Sequence, residues 1–114
     1  MFSYLRIRRR EVNMTRYTTG SVTLVFEEPG VLENIASVRV TLEQDGHQLT
    51  KKDDEVTVNL EDNSVFISLT QEETGSFKEA HVYIQVRIKY TNGQVIASEI
   101  ERVYMNKILD EEVM

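Results

Sequence analysis

Ala80-His81-Val82-Tyr83-Ile84-Gln85-Val86-Arg87-Ile88-Lys89-Tyr90, followed by Thr91-Asn92-Gly93-Gln94 and the return to Met105, is the stretch that decides the fold. Its even positions, Ala80 to Tyr90, all suit a core. Of the odd positions His81, Tyr83, Gln85, Arg87 and Lys89, only Tyr83 has much apolar character. A period of two marks a strand with one dry and one wet face. Asn92-Gly93 tolerates the positive φ of a tight hairpin turn, so a second long strand is expected to fold back on the first. A two-residue turn would set Ile84 opposite Glu101 and carry Glu99 and Glu101 onto the apolar face. Burying unpaired carboxylates costs several kcal/mol each. The pattern therefore predicts a β-bulge between Ala97 and Val103, or a longer turn, that turns both carboxylates outward.

The same alternation recurs through the chain. Ser21 to Phe26 places Val22, Leu24 and Phe26 on one face, and Glu28-Pro29-Gly30 ends it. Val31 to Ala36 fits a loop or one helical turn. Ser37 to Gln44 alternates Val38, Val40 and Leu42 with polar residues, and Asp45-Gly46 is hairpin chemistry. Gln48 to Lys52 reads as a short edge strand that Lys51 and Lys52 protect from further pairing. Val56, Val58 and Leu60 form one more strand, and Val65, Ile67 and Leu69 return it, with Phe66 opposite. Thr70-Gln71-Glu72-Glu73 is a capping box, predicting one helical turn over 71–76 anchored by Phe77. Seven strands at sandwich spacing predict an all-β, two-sheet antiparallel β-sandwich of immunoglobulin-like type, with a small barrel as the second choice.

With 114 residues the chain is one domain, and it has no Cys for disulfides or thiolate metal sites. A reducing compartment fits. No apolar run approaches the roughly 20 residues of a membrane span, and the opening residues are too interrupted for a signal-peptide core. The charge is asymmetric. Residues 1–16 hold five Arg and one acid, a net of +4, whereas the rest carries a net of -10 within a total of -6. The acidic body should repel nucleic acid and anionic lipid.

Arg8-Arg9-Arg10 can be encoded by purine-rich codons resembling a bacterial ribosome-binding site just upstream of Met14. Residues 1–13 are thus expected to be a basic leader outside the fold. A single sandwich domain would span 14–107, and 108–114 would be an acidic tail.

Candidate sites are few. A zinc site would need His47, His81 and distant carboxylates together, and solvated histidines explain both more simply. Asp53, Asp54, Glu55, Glu61 and Asp62 offer hard oxygen ligands, but their spacing matches no calcium loop. Glu72 and Glu73 sit where a helix start favours negative charge. The Asn13-Met14-Thr15 sequon has no secretion signal before it. No catalytic residue, cofactor site or metal site is assigned, and the chain reads as non-enzymatic. Tyr83 and Tyr104 are expected as a cross-strand pair or an interface contact. Ser21 to Phe26 lacks charge and Pro, as an unprotected edge would. Val22, Leu24, Tyr83 and Tyr104 are the expected interface, with this protein itself or a larger protein as partner.

Leu69 to Thr74, Ile84 to Arg87, Ala97 to Ile100 and Leu109 to Val113, with Thr15 to Gly20, together resemble a family of small proteins of tailed phages and prophages of Gram-positive gut bacteria. The match covers about Met14 to Met114, and its form is similar to the N-terminal β-domain of phage upper-baseplate proteins. The resemblance implies a virion structural module of tail or baseplate, present in the host cytoplasm during assembly and then in the virion. It supplies no site residues. The alternative is a stand-alone carbohydrate-binding sandwich, against which the absence of Trp counts.

Overall fold

The computed structural model describes residues 4–114. The strands are β1 (Tyr4–Leu5), β2 (Ile7–Asn13), β3 (Gly20–Phe26), β4 (Ile35–Gln44), β5 (His47–Lys52), β6 (Thr57–Asn59), β7 (Ser64–Leu69), β8 (His81–Tyr90), β9 (Val95–Ser98) and β10 (Glu101–Tyr104). A 3₁₀ turn covers Asp53–Glu55, and α1 covers Gln71–Gly75. One sheet runs β1-β9-β8-β4-β5, with β10 also pairing β8; the other runs β2-β3-β7-β6. This is an all-β, two-sheet sandwich without barrel closure.

The alternation dictates the core. Val38, Val40, Leu42, Val82, Ile84, Val86, Ile88, Ile96 and Val103 line the inner face of the first sheet. Ile7, Val22, Leu24, Phe26, Val65, Ile67 and Leu69 line the second. Facing sheets interdigitate such side chains into a layer about 10 Å thick. At the β4–β5 hairpin Asp45 and Gly46 take φ of 49° and 86°, the paired positive angles of a type I′ turn. The capping box forms as read: Glu73 N–H donates to the Thr70 hydroxyl and Thr70 N–H to the Glu73 carboxylate. Phe77 is fully buried behind it.

The long hairpin uses both devices, but they do not turn both carboxylates outward as expected. It closes over three residues, not two: Tyr90 N–H donates to the Gln94 carbonyl and Gly93 N–H to the Tyr90 carbonyl, with Gly93 at φ +91°. Ile88 then faces Ile96, while Ile84 still faces Glu101, so the ladder slips by one residue in between. Buried Ser98 makes the slip. Its hydroxyl accepts the Val86 N–H and donates to the Glu99 carbonyl, filling in where a ladder carbonyl is missing. β9 and β10 are therefore two halves of one interrupted strand. Neither Glu99 nor Glu101 is buried. Glu99 accepts the Ile7 N–H at 2.9 Å, and Glu101 stays on the inward phase at the rim.

Three expectations need correction. First, residues 4–13 do not stand outside the fold. β1 pairs parallel with β9 in one sheet, the chain crosses at Arg6, and β2 pairs antiparallel with β3 in the other. Leu5 and Ile7 are buried in the core. Arg9 donates to the Arg102 carbonyl and ties β2 to β10. Arg8 and Arg10 face outward and Arg9 shares the phase of Ile7 but stays exposed, so a basic composition hid an inward apolar pair; residues 1–3 lie outside the described region. Second, β3 is not an edge. It lies between β2 and β7, so Val22 and Leu24 are core residues, not interface residues. Third, β6 is short, and Val58 and Leu60 are exposed although their spacing suited a buried face. The 108–114 tail forms no strand, but Glu111 pairs with Arg16 at 2.7 Å and Met114 exchanges backbone hydrogen bonds with the Gln71 side chain.

Candidate interaction surface

The outer face of the six-stranded sheet carries the exposed rings of Tyr4, Tyr83 and Tyr104. Tyr83 and Tyr104 are 45% and 44% exposed. They sit on adjacent strands of one face but do not face each other. The register sets Tyr83 opposite Arg102 and Tyr104 opposite His81, leaving the two tyrosines on a diagonal. Such diagonals remain within reach of long side chains. The His81 and Tyr104 rings meet edge to face with centroids 5.3 Å apart, a favoured aromatic geometry.

Beside Tyr83 runs a shallow groove of about 210 Å³, lined by Thr41, Glu43, Gln48, Gln85 and Ile100. Ile100 is 61% exposed at the interruption between β9 and β10. The sequence reading missed it because it belongs to neither half of the broken strand. It also left Tyr4 out of the interface, an exposed ring on the same sheet that lies in the segment set aside as a leader. The patch thus combines aromatic edges, one aliphatic side chain and a rim of amide, hydroxyl and carboxylate groups. Such a surface binds by apolar area and directed hydrogen bonds.

The other candidates have local roles. His47 Nε2 lies 2.9 Å from the Ser76 hydroxyl, and its ring packs on Phe77. Asp53 accepts from the Ser37 hydroxyl and the Val38 N–H, and these bonds hold its carboxyl below the usual range. Asp62 pairs with Arg10 at 2.7 Å. Among the described residues no group of three or more His, Asp or Glu is placed to hold a metal ion.

No protein-family model matches the chain, and no curated protein matches it. Solved structures do. The chain is similar to part of chitinase ChiW from Paenibacillus sp. str. FPU-7, a bacterial cell-surface-expressed multi-modular enzyme, at TM-score 0.55 and 9% identity over 91% of this chain. It is similar to part of a 1.5-MDa bacterial ice-binding adhesin at TM-score 0.56 and 16% identity, again over 91% of this chain. It spans only 9% and 31% of those two chains. At such identities the likeness defines the fold alone: a two-sheet β-sandwich.

Proposed function

We propose that the chain is a non-enzymatic interaction module, one unit of a larger bacterial surface assembly, which contacts surface glycan through the outer face of its six-stranded sheet. The observation that carries this reading is the flat, unpartnered face with Tyr83, Tyr104 and Ile100 at one end. Similarity to segments of two much longer surface proteins supports a modular setting. So does the shape, 46 Å long and 23 by 21 Å across.

An immunoglobulin-like type belongs to the same proposal. The order β2-β3-β7-β6 parallels the ABED sheet of that fold, and β9-β8-β4-β5 parallels its other sheet.

The test is retention of the folded chain on insoluble chitin and on bacterial cell-wall peptidoglycan, compared with the Y83A/Y104A variant. Retention lost in the variant supports the reading. No retention on either material contradicts it.

A second reading is a virion module of a tail or baseplate, favoured by the sequence strings that resemble phage proteins. It assigns the same face to a protein partner, and a gene position among portal, tail or baseplate genes would favour it.

A further inference from the structure

One row of side chains crosses the outer face of the six-stranded sheet from edge to edge. The register sets Tyr4 beside Ala97, Ala97 opposite Arg87, Arg87 opposite Arg39, and Arg39 opposite Lys52. Lys89 follows two residues along β8 on the same face. All four cations and the Tyr4 ring are exposed. At about 4.8 Å between strands, the three cations of the row fall within roughly 10 Å, and the whole row is about 19 Å long. Like charges directly opposite on neighbouring strands are destabilising. The chain has 19 acidic residues with which to neutralise them. Yet among the described residues no ion pair joins Arg39, Arg87, Lys52 or Lys89 to a carboxylate, whereas Arg10 holds two and Arg16 and Lys51 one each. Asp53 lies near Arg39 and Lys52 and accepts from the Ser37 hydroxyl and the Val38 N–H; Ser37 is set opposite Lys89, so this one carboxylate borders the row without forming an ion pair in it.

Between the cations lies a depression of about 160 Å³, lined by Ser37, Arg39, Arg87, Lys89 and Val95. It is smaller than the roughly 300 Å³ of a small-molecule site, and it takes one oxyanion group. The row continues beyond it in both directions, as a polymer site would.

We propose that this row binds the oxyanion groups of an extended acidic glycan. The guanidinium groups of Arg39 and Arg87 take one anion in the depression, a geometry for which Arg is suited. Lys52 and Lys89 flank it, and Tyr4 offers a ring face to a sugar at the sheet edge. A polynucleotide fits less well. Duplex DNA carries a charge about every 1.7 Å, denser than the cations of the row are spaced, whereas a glycan with one charge per sugar spreads its charge. The proposal rests on the glycan-contacting reading above and names the class of glycan.

The test is calorimetric titration of the whole chain with a short galacturonate oligomer, a chito-oligosaccharide, inorganic phosphate and a single-stranded DNA oligomer. Wild type, R39Q, R87Q and K107Q are compared, the last being an exposed lysine outside the row. The galacturonate oligomer should bind, with affinity falling steeply between about 50 and 200 mM salt. Each Arg variant should weaken it by about tenfold or more, K107Q should leave it unchanged, and neither Arg variant should lower Tm, because each relieves a like-charge neighbour. Inorganic phosphate bound with the same Arg dependence would support the depression as the anchoring point. Tighter binding of DNA would overturn the ligand class. Equal binding of the neutral and acidic oligomers, or galacturonate binding unaffected by R39Q and R87Q, would overturn the proposal while leaving the glycan reading standing. No binding of either glycan would overturn both.

Discussion

Lys51 Nζ lies 2.8 Å from both carboxylate oxygens of Glu73 and so fastens the edge strand β5 to the first turn of α1. Lys51 was expected, with Lys52, to protect this edge from further pairing. It points inward and is buried, one way in which edge strands are protected from pairing.

Burial alone would raise the Glu73 pKa, but the Lys51 hydrogen bond and charge and the Thr70 backbone bond outweigh it, and the pKa falls below its ordinary 4.5. A depressed carboxyl contributes stability that is whole above its unfolded pKa and is lost as pH falls through the folded value. E73Q should therefore cost about 1–2 kcal/mol near neutral pH, between the values for exposed and fully buried pairs. Denaturant melts should show the difference from wild type shrinking as the pH drops below 4.5.

Leu5 and Ile7 lie within the core. L5A and I7A should each lower stability by about 2–5 kcal/mol. Removal of residues 1–13 should abolish the cooperative melt followed by circular dichroism. A truncated chain with an unchanged Tm would show that β1 and β2 are dispensable.

Gly75 closes α1 against Tyr17, and a Cβ there would run into the Tyr17 ring. G75A should destabilise by about 1–3 kcal/mol, as overpacking does. Much of that loss should vanish in a Y17A background, which a double-mutant cycle measures directly.

The Tyr90 hydroxyl donates to the Val31 carbonyl at 2.6 Å within the buried end of the sandwich, where burial raises its pKa. It latches the loop between β3 and β4. Y90F leaves that carbonyl without the donor and should cost about 1–2 kcal/mol. Amide exchange should quicken around Val31 and Leu32.

Local signals were legible where one short pattern determines its own structure. The alternation from Ala80 to Tyr90, the Asp45-Gly46 turn and the Thr70–Glu73 capping box each formed as read, because each depends on neighbours within a few residues. Strand order is a different kind of information. β3 reads as an apolar, unprotected strand whether it lies at an edge or at the centre, and only its pairing with β2 and with β7, some forty residues on, decides which. The basic start misled for a related reason. Alternate charges on β2 face outward whatever the composition, and only Leu5 of β1 and Ile7 of β2 mark the segment's place in the core. The proposed contact face was legible in part. Exposed Tyr83 and Tyr104 followed from the period of two, whereas the cationic row depends on the register of three strands and is invisible along any one of them.

The central claim is that the outer face of the six-stranded sheet is the working face. Its most direct test is NMR mapping of the isotope-labelled chain during titration with solubilised bacterial cell-wall glycan. The account predicts perturbations at Tyr83, Gln85, Arg87, Arg39 and Tyr104, with Phe66 and Thr57 on the opposite sheet unmoved. Perturbations centred on Phe66 and Thr57, or none at saturating glycan, would contradict it.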